Sequence, residues 1–238
     1  MINVVSLASS SSGNAYLLMD DTNELSPLLL DCGLPLDRLK KGVWAHGLTL
    51  SDIAGCFVSH SHGDHSKSAG KLARLGVDIY TSWGTIQACG LLGLHRVCQV
   101  KDDYTYYVGG WAVKPFATVH DCSEPLGFLV AGAGEKLVYA TDTAYLPVRF
   151  KGLNVIMVEC NYSLEIIQAN EDLHPAVKSR IIKNHFSLDQ VSKFLQANDL
   201  SEVREIHLLH LSDGNSNEDL FKSEIQALTG KPVYISKK

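Results

Sequence analysis

The sequence predicts an α+β protein in which sheet layers are covered on the outside by helices. Strand-type apolar runs dominate the first two thirds of the chain, and helical patterns alternate with strands through the last third. The regular βαβ repeats of a doubly wound Rossmann domain are not visible. The 238 residues are an ordinary length for one domain with a substantial core. No linker divides them, so we predict a single domain over residues 1–238.

The first elements follow from turn signals and apolar patterns. INVVSLA and NAYLLMD are predicted strands joined by a Ser/Gly turn, and PLLLDCG is a third apolar run. A helix is predicted from near Leu36, and the strand IAGCFV then leads into a histidine-rich segment. KSAGKLARLG has helical composition and ends at Gly76, a plausible C-cap, before the strand VDIYTS and the short helix TIQACGLLG.

The rest of the chain passes from strands to alternating elements. TYYVGG, WAVKPFATVH, LGFLVAG and KLVYATD are predicted strands separated by Gly, Asp and Pro signals. VIMVEC is a further strand, followed by a helix through Lys178 to Lys183 and the helix SLDQVSKFLQAN. REIHLLH, NEDLFKSEIQAL and PVYIS are predicted as strand, helix and closing strand.

Composition places the chain among globular proteins. Apolar residues make up 45% and charged residues 20%, without a long polar tract. The opening MINVVSLASSSSGN lacks a basic leader and a long apolar stretch, so we expect a cytoplasmic protein with six reduced, buried cysteines and no membrane partner. The net charge of −5 argues against a cationic surface for general nucleic-acid binding. Two local basic clusters remain: Arg38, Lys40 and Lys41, and Lys178, Arg180 and Lys183.

The segment FVSHSHGDHS carries the first chemical signal. His60 and His62 are two apart on a predicted extended segment, so both rings point to one side. Gly63 permits a turn, and the adjacent Asp64 and His65 aim differently from each other. Two histidines would then serve one ion and the Asp-His pair its neighbour. These ligands suit zinc, and also manganese or iron; the alternative is a histidine-rich solvated loop.

Remote residues favour the metal interpretation. His120, Asp142 and His210 each stand where an apolar strand ends, and Asp31 and Asn161 occupy equivalent places. Buried strands deliver their terminal residues to one rim of a sheet. Several ligand-type side chains at such positions are therefore expected to share a rim with the histidine segment.

This pattern resembles that of the metallo-β-lactamase-fold hydrolases, over nearly the whole chain. The shared features are HxHxDH followed by a lone His, a lone Asp and a late His. The resemblance implies a four-layer αββα sandwich with a two-metal site at one edge of its two sheets. It also implies the ligands: His60, His62 and His120 for the first metal, Asp64, His65 and His210 for the second, and Asp142 bridging both.

Finer motifs resemble one branch of that family. SSSSGN, HDCSEPLGF, ATDTAY, VECN, NHFS and LLHLSDGNS look like the single-domain WalJ/YycJ-type exonuclease-like phosphodiesterases of bacteria and their phage relatives. Two positions depart from that group. Tyr162 stands where the group tends to have a His after its VECN-like motif, and Asn184 stands where it tends to have a Gly before the His of a GHLS-like motif. Both departures concern the substrate rather than metal binding.

The implied chemistry needs no nucleophilic Ser or Cys. Two divalent ions, zinc or manganese, can bridge a hydroxide at neutral pH and stabilise charge on phosphate oxygens. Asp64 and Asp142 would lower the positive charge and accept hydrogen bonds from the nucleophile. His185 is the candidate to hold phosphate and protonate the leaving alkoxide. It precedes an S-x-x-Q capping box, Ser187 and Gln190, and so a helix N-terminus; the alternative is an ordinary surface histidine.

Further candidates are supporting residues. The stretch from Ser9 offers hydroxyls and a Gly-containing backbone as a phosphate cradle, or is only a flexible hairpin turn. Asp31 is expected to orient a metal-bound histidine. Glu159 or Asn161 is expected to support a ligand, the alternative being that either is only the end of a strand. His207 is interpreted as structural, Cys122 as packed, and His46, His95 and His174 as surface residues. The substrate-binding candidates are Ser10, Ser11, Ser12, Asn14, Asn161 and His185.

The leading functional hypothesis is a dinuclear-metal phosphodiesterase acting on nucleic acid, by resemblance a DNA exonuclease that binds DNA ends. A phosphodiesterase for small cyclic or linear nucleotides is the first alternative, which the acidic net charge favours. A lactone or thioester hydrolase and a non-catalytic metal-binding module are the others. The stretch between Asp142 and His210 is too short for the inserted domain of β-CASP nucleases, and no glyoxalase-type helical domain follows His210. The oligomeric state stays open, with a homodimer as one alternative.

Overall fold

The computed structural model describes residues 1–236, which divide into two compact units. Unit 1 contains Met1–Ala117 and Cys122–Glu135. Unit 2 contains Thr118–Asp121 and Lys136–Ser236. Along the sequence, the chain leaves unit 1 for the short segment Thr118–Asp121 of unit 2, returns to unit 1, and then forms the rest of unit 2. Candidate site residues lie in both units.

Unit 1 is built mainly from strands. Its strands are β1 (Ile2–Ala8), β2 (Ala15–Asp20), β3 (Leu28–Leu30), β4 (Gly55–Phe57), β5 (Ile79–Thr81), β6 (Val97–Gln99), β7 (Tyr106–Val108), β8 (Trp111–Ala117) and β9 (Leu126–Gly132). Its helices are α1 (Leu36–Trp44), α2 (Gly63–Ser66), α3 (Ala69–Arg74) and α4 (Trp83–Ala88), with a short 3₁₀ helix at Leu50–Asp52.

Strands β1 to β6 form one mixed sheet in sequential order. The Ser/Gly turn makes β1 and β2 an antiparallel hairpin, and β3 pairs antiparallel with β2. From β3 to β6 the pairs are parallel, which requires crossover connections; these contain α1, α3 and α4. Parallel strands end at the same edge, so the segments that follow β3 and β4 emerge side by side.

Apolar residues hold both faces of this sheet. On one face Leu17, Leu29 and Ile79 pack with Leu39 and Leu72 of the helices in a single buried cluster. On the other face Phe57 stacks on Tyr80, with ring centroids 4.7 Å apart, and meets Phe128 of β9 edge-on at 5.4 Å. Strands β7, β8 and β9 pair antiparallel as a second sheet segment. Unit 1 thus has a core on each side of its main sheet.

Unit 2 alternates strands with helices. Its strands are β10 (Glu135–Ala140), β11 (Val155–Glu159), β12 (Glu205–Leu209) and β13 (Val233–Ile235), and its helices are α5 (Leu164–Ala169), α6 (Pro175–Asn184), α7 (Leu188–Ala197) and α8 (Glu218–Thr229). The four strands pair parallel in chain order. Every residue of β11 is buried, as expected for a parallel strand covered on both faces.

The predicted α+β class is confirmed, with differences in short elements. Strand β6 and helices α2 and α5 were not predicted, because elements of three to six residues carry too little periodicity. The helix predicted as TIQACGLLG begins earlier, at Trp83, because the Ser82 side chain caps it by accepting from Thr85 N. Ser82 therefore belongs to the helix cap and not to β5.

All six cysteines are free thiols. Cys32, Cys56 and Cys160 are buried as expected, but Cys89, Cys98 and Cys122 are only partly buried, so the expectation of burial is wrong for these three. Among residues 1–236, no helix is both long and apolar enough to cross a membrane.

Candidate functional site

The histidines of unit 1 converge. After β4 the chain runs extended to His62, and Gly63 then begins the single turn of α2. The ring centroids of His60 and His62 are 4.8 Å apart, and those of His60 and His65 are 4.2 Å apart. The helical turn also brings Asp64 Oδ2 within 3.4 Å of His65 Nε2. The segment therefore presents clustered nitrogen and oxygen donors and is not a solvated loop.

Asp31 fixes two of these rings. Its fully buried carboxylate accepts hydrogen bonds from Ser59 N at 2.7 Å and Ser59 Oγ at 2.9 Å, and lies 2.7 Å from His65 Nδ1. The predicted contact between Asp31 and a motif histidine is confirmed. Because a carboxylate accepts, His65 Nδ1 donates to it. Ser59 has used its hydroxyl hydrogen on Asp31, so the 3.0 Å contact between Ser59 Oγ and His60 Nδ1 has the histidine as donor. Both rings then keep the Nε2 lone pair.

Three backbone segments lock together behind this cluster. Asn14 N donates to Asp64 O at 2.7 Å, Gly33 N donates to Asn14 O at 2.8 Å, and Cys32 N donates to His65 O at 2.8 Å. The approach is so close that a Cβ on Gly33 would lie 1.6 Å from Asp64 O. Only glycine fits at this position, and it sets the depth of α2 against the end of β3.

The Ser/Gly turn has an inner and an outer part. Asn14 is fully buried, and its Nδ2 lies 2.9 Å from Ser10 O and 3.0 Å from His65 Nε2. The hydroxyl groups of Ser10 and Ser12 form a hydrogen bond, with their oxygens 2.8 Å apart. Ser11 and Ser12 are exposed. The turn therefore offers those two hydroxyls to a ligand, while Asn14 holds the turn to the histidine cluster.

In unit 2, His120 is also oriented through Nδ1. That nitrogen lies 2.9 Å from the carbonyl oxygen of Asn184, so it donates and leaves the Nε2 lone pair. Nε2 lies 3.3 Å from Asp121 Oδ1 and 3.5 Å from Asp142 Oδ2. Asp121 also accepts from Arg180 Nε at 2.9 Å. Asp121 was not predicted as a site residue; its position beside His120 in HDCSEPLGF was the available signal.

The other candidates of unit 2 form one cluster. Asp142, Glu159, His185 and His210 can each offer one ligand atom so that all these atoms lie within 4.8 Å of one another. His210 Nδ1 lies 3.0 Å from Asp142 Oδ1, and Asn161 Nδ2 donates to His210 O at 2.9 Å. Asn161 therefore supports the backbone of His210, in agreement with one of its two predicted roles.

Glu159 is the centre of this cluster. Its fully buried carboxylate contacts His185 Nδ1 at 2.6 Å and His210 Nδ1 at 3.2 Å, and accepts from the backbone N of Thr143 and of Phe186. The sequence suggested only that Glu159 supports a ligand. Its link to His185 needed the tertiary structure, because the two residues lie on different elements.

Glu159 and His185 shift each other's pKa in opposite directions. Burial alone would raise the pKa of Glu159, but the charge of His185 and the hydrogen bonds from His185 and His210 outweigh it and lower the pKa. Burial alone would lower the pKa of His185, but the charge and hydrogen bond of Glu159 raise it. His185 is thus favoured as an imidazolium, and its side chain keeps 19% of its surface exposed.

Three candidate residues have left-handed backbone conformations. Asp31, Asp142 and His210 have φ values of 60°, 24° and 52°, each just after a strand. Such conformations are uncommon for residues other than glycine and cluster at functional sites. The strand ends therefore turn abruptly where the sequence placed candidate ligands.

The donor chemistry fits divalent metal ions. His60 and His120 each donate Nδ1–H to a neighbouring group and keep Nε2 for coordination, the arrangement that metal-binding histidines adopt. His65 also donates Nδ1–H, to Asp31, while its Nε2 faces Asn14 Nδ2 at 3.0 Å. Carboxylates complete a nitrogen and oxygen set suited to zinc or manganese. The remaining histidines lie elsewhere: His46, His95 and His174 are exposed, and His207 stacks on Tyr234.

Comparisons with known proteins agree with this chemistry. Residues 28–210 match the family described as Beta-lactamase superfamily domain. The chain is 27% identical over 235 residues to "Exodeoxyribonuclease YycJ" of Bacillus anthracis, covering 92% of this chain and 86% of that protein. It is 26% identical over 227 residues to "Exodeoxyribonuclease WalJ" of Streptococcus pneumoniae serotype 2 (strain D39), covering 90% and 83%.

A solved structure shows the same fold. The metallo-β-lactamase fold protein YhfI of Bacillus subtilis superimposes with a TM-score of 0.75 at 18% identity, covering 99% of this chain and 96% of that one. The metallo-β-lactamase fold and the likeness to the WalJ and YycJ proteins, both predicted from the motifs, are confirmed. The chain belongs to the beta-lactamase superfamily and is a metal-dependent hydrolase.

Proposed function

We propose that the chain is a two-metal phosphodiesterase that acts on nucleic acid, as a DNA exonuclease. The observation that carries the proposal is the 2.6 Å contact between His185 Nδ1 and Glu159 Oε1, beside Asp142 and His210. A histidine oriented by a carboxylate among candidate metal ligands suits a reaction in which a phosphate is bound and an alkoxide leaves. The curated relatives named exodeoxyribonucleases support the same assignment.

The proposed ligand sets follow the family resemblance. His60, His62 and His120 would hold one ion, Asp64, His65 and His210 a second, and Asp142 both. The support within each unit is the orientation of the rings: Asp31 and Ser59 fix those of His65 and His60, and Asn184 fixes that of His120. When bound, two zinc or manganese ions would supply a hydroxide nucleophile at neutral pH and stabilise charge on the phosphate oxygens.

The residues of the chain would do the remaining work. Asp64 and Asp142 would accept hydrogen bonds from the attacking nucleophile. His185, kept protonated by Glu159, would bind a phosphate oxygen and pass its Nε2 proton to the leaving oxygen. The exposed Ser11 and Ser12 would hold phosphate with Ser10, while the buried Asn14 and Asn161 would act by holding the turn and His210 in place.

Parallel assays of the purified protein with added Mn²⁺ or Zn²⁺ test the proposal. The substrates are end-labelled duplex and single-stranded DNA, RNA, cyclic nucleotides and a lactone. We expect cleavage of DNA from its ends. Cleavage of the lactone alone would overturn the proposal. Among variants, His62→Ala should lose activity and bound metal, whereas the exposed His46→Ala should retain both.

His185→Ala separates proton transfer from metal binding. The variant should keep its metal content by mass spectrometry and lose rate by about 10²- to 10⁴-fold, the usual contribution of a positioned acid or base. The loss should be smaller for a substrate with a nitrophenolate leaving group, which needs no proton. Loss of metal in this variant would show that His185 is a ligand instead.

A further inference from the structure

Unit 2 contains a groove that the proposed chemistry does not use. It has a volume of about 320 Å³ and lies between residues 145–149 and one face of α7. Gln190, Lys193, Phe194 and Ala197 line it at helical spacing, so a single stripe of α7 forms one wall. We call it the α7 groove.

The floor of the α7 groove is aromatic. Phe186 and Phe194 are buried, with ring centroids 6.3 Å apart. Phe150, behind this floor, meets Phe194 at 6.4 Å, and Asn198 Oδ1 accepts from Phe150 N at 2.8 Å. An aromatic floor suits a flat group such as a nucleobase.

Backbone contacts connect the α7 groove to the carboxylate that contacts His185. Phe186, which lines the groove, directly follows His185, and Phe186 N donates to Glu159 Oε2 at 3.1 Å. Thr143, two residues before the opposite wall, donates its N–H to the same oxygen at 2.9 Å, and Thr143 Oγ1 donates to Tyr145 O at 2.9 Å. Both sides of the groove are therefore linked through the backbone to Glu159.

Exposed cations and an aromatic ring border the α7 groove. Arg149 and Lys193 line the groove and are exposed, and neither forms an ion pair with any residue from 1 to 236. The chain as a whole has a net charge of −5, so these two cations form a local positive patch at the groove. Tyr145 is 52% exposed. Cations that track phosphates together with an aromatic ring for a base are the usual equipment for binding single strands.

On the basis of the proposed function, we propose that the α7 groove binds the unpaired nucleotides next to the scissile phosphate. One base lies against Tyr145 over the phenylalanine floor, and the adjoining phosphates meet Arg149 and Lys193. The volume is at the lower end of that of small-ligand sites and matches a single nucleotide. The proposed ligand class is therefore the unpaired end of a nucleic-acid strand.

Binding and cleavage by the purified chain test this assignment separately. Fluorescence anisotropy with a labelled single-stranded DNA oligonucleotide, in EDTA, reports affinity without reaction. The double variant Arg149→Glu/Lys193→Glu should bind at least about tenfold more weakly and with a shallower salt dependence, and Tyr145→Ala about tenfold more weakly. The controls Lys222→Glu and Tyr107→Ala, at exposed positions outside the groove, should bind like the wild type.

Cleavage of bis(p-nitrophenyl) phosphate with Mn²⁺ completes the test, because this small diester does not reach along the groove. The groove variants should retain it. Absence of oligonucleotide binding by the wild type, unchanged binding by the variants, or equal loss of diester cleavage would each overturn the assignment. Weaker binding by the variants alongside a wild type that cleaves no phosphodiester would leave the groove standing and overturn the proposed function.

Discussion

At the scale of single residues, hydrogen placement on imidazole rings decides what the clusters can bind. A neutral ring has one donor and one acceptor nitrogen. Asp31, the hydroxyl of Ser59 and the carbonyl of Asn184 each take an Nδ1 hydrogen, so the acceptor nitrogen is Nε2 in three rings. In the proposed ligand sets, these three groups would support metal binding without being ligands themselves.

Replacing Asp31 with Asn tests that dependence. Asparagine has the size of aspartate and tolerates the left-handed φ of 60°. Its NH₂ group is a donor, however, and would face another donor, on either Ser59 or His65, where the carboxylate now accepts a hydrogen bond. We expect metal affinity about 10- to 100-fold lower, the usual effect of removing such a support, measured by competition with a chelating dye. Asp37→Asn, at an exposed carboxylate on α1, is the control. An unchanged affinity for Asp31→Asn would contradict the role given to it.

Many of the candidate site residues could be predicted because they lie at the ends of predicted strands. The ends of apolar runs are visible in the sequence, and they are followed by Asp31, His120, Asp142 and His210. The groups that hydrogen-bond to the candidate histidines are harder to predict. The partner of His120 is a backbone carbonyl at the end of α6, and the partner of His185 is a strand residue. Such contacts depend on packing between elements and not on residue type.

At the scale of elements, the depth of α2 is set by backbone contact. The turn before β2, the segment after β3 and α2 exchange backbone hydrogen bonds around Gly33. This contact explains why a helix of four residues, Gly63–Ser66, is stable enough to place two candidate ligands. An isolated helix of this length would be unstable in water, and the hydrogen bonds to the neighbouring segments supply the missing stabilisation.

The two glycines of this region should respond differently to alanine. Gly33→Ala puts a Cβ 1.6 Å from Asp64 O, whereas nothing lies within 4 Å of a Cβ on Gly63. We expect Gly33→Ala to destabilise the protein by about 1–3 kcal/mol or more and to reduce bound metal. Gly63→Ala, inside the HxHxDH motif, should be tolerated in both respects. Urea unfolding and metal analysis measure this, and equal behaviour of the two variants would refute the interlocking of the segments.

Element prediction succeeded where a residue pattern was long or strongly capped. Helix α7 was predicted with its start, because the capping box of Ser187 and Gln190 is explicit and present. Strand β6 has no fully buried residue, and α5 has only six residues with one buried, so neither shows a marked apolar period. Their formation depends on neighbours already in place.

At the scale of the whole molecule, metal removal should change stability. A ligand that binds only the folded chain stabilises it, by about 4 kcal/mol at a thousandfold excess over Kd. For a chain of this size that corresponds to roughly 8–16 °C in Tm. We expect calorimetry to show a lower Tm in EDTA than with Zn²⁺ or Mn²⁺. His62→Ala should lose most of this difference and His46→Ala should keep it; an equal gain in both variants would contradict the proposed ligand set.

The left-handed backbone conformations at the strand ends affect how the protein would bind metal ions. Each such conformation costs about 1–3 kcal/mol and persists only where the surroundings enforce it. At Asp31, Asp142 and His210 that cost is met during folding, so the two candidate ligands, Asp142 and His210, and the supporting Asp31 would already be in place before an ion binds. The chain is thus preorganised: it gives up part of its own stability so that capturing a metal requires little rearrangement, and capture should be fast and selective for ions of matching geometry.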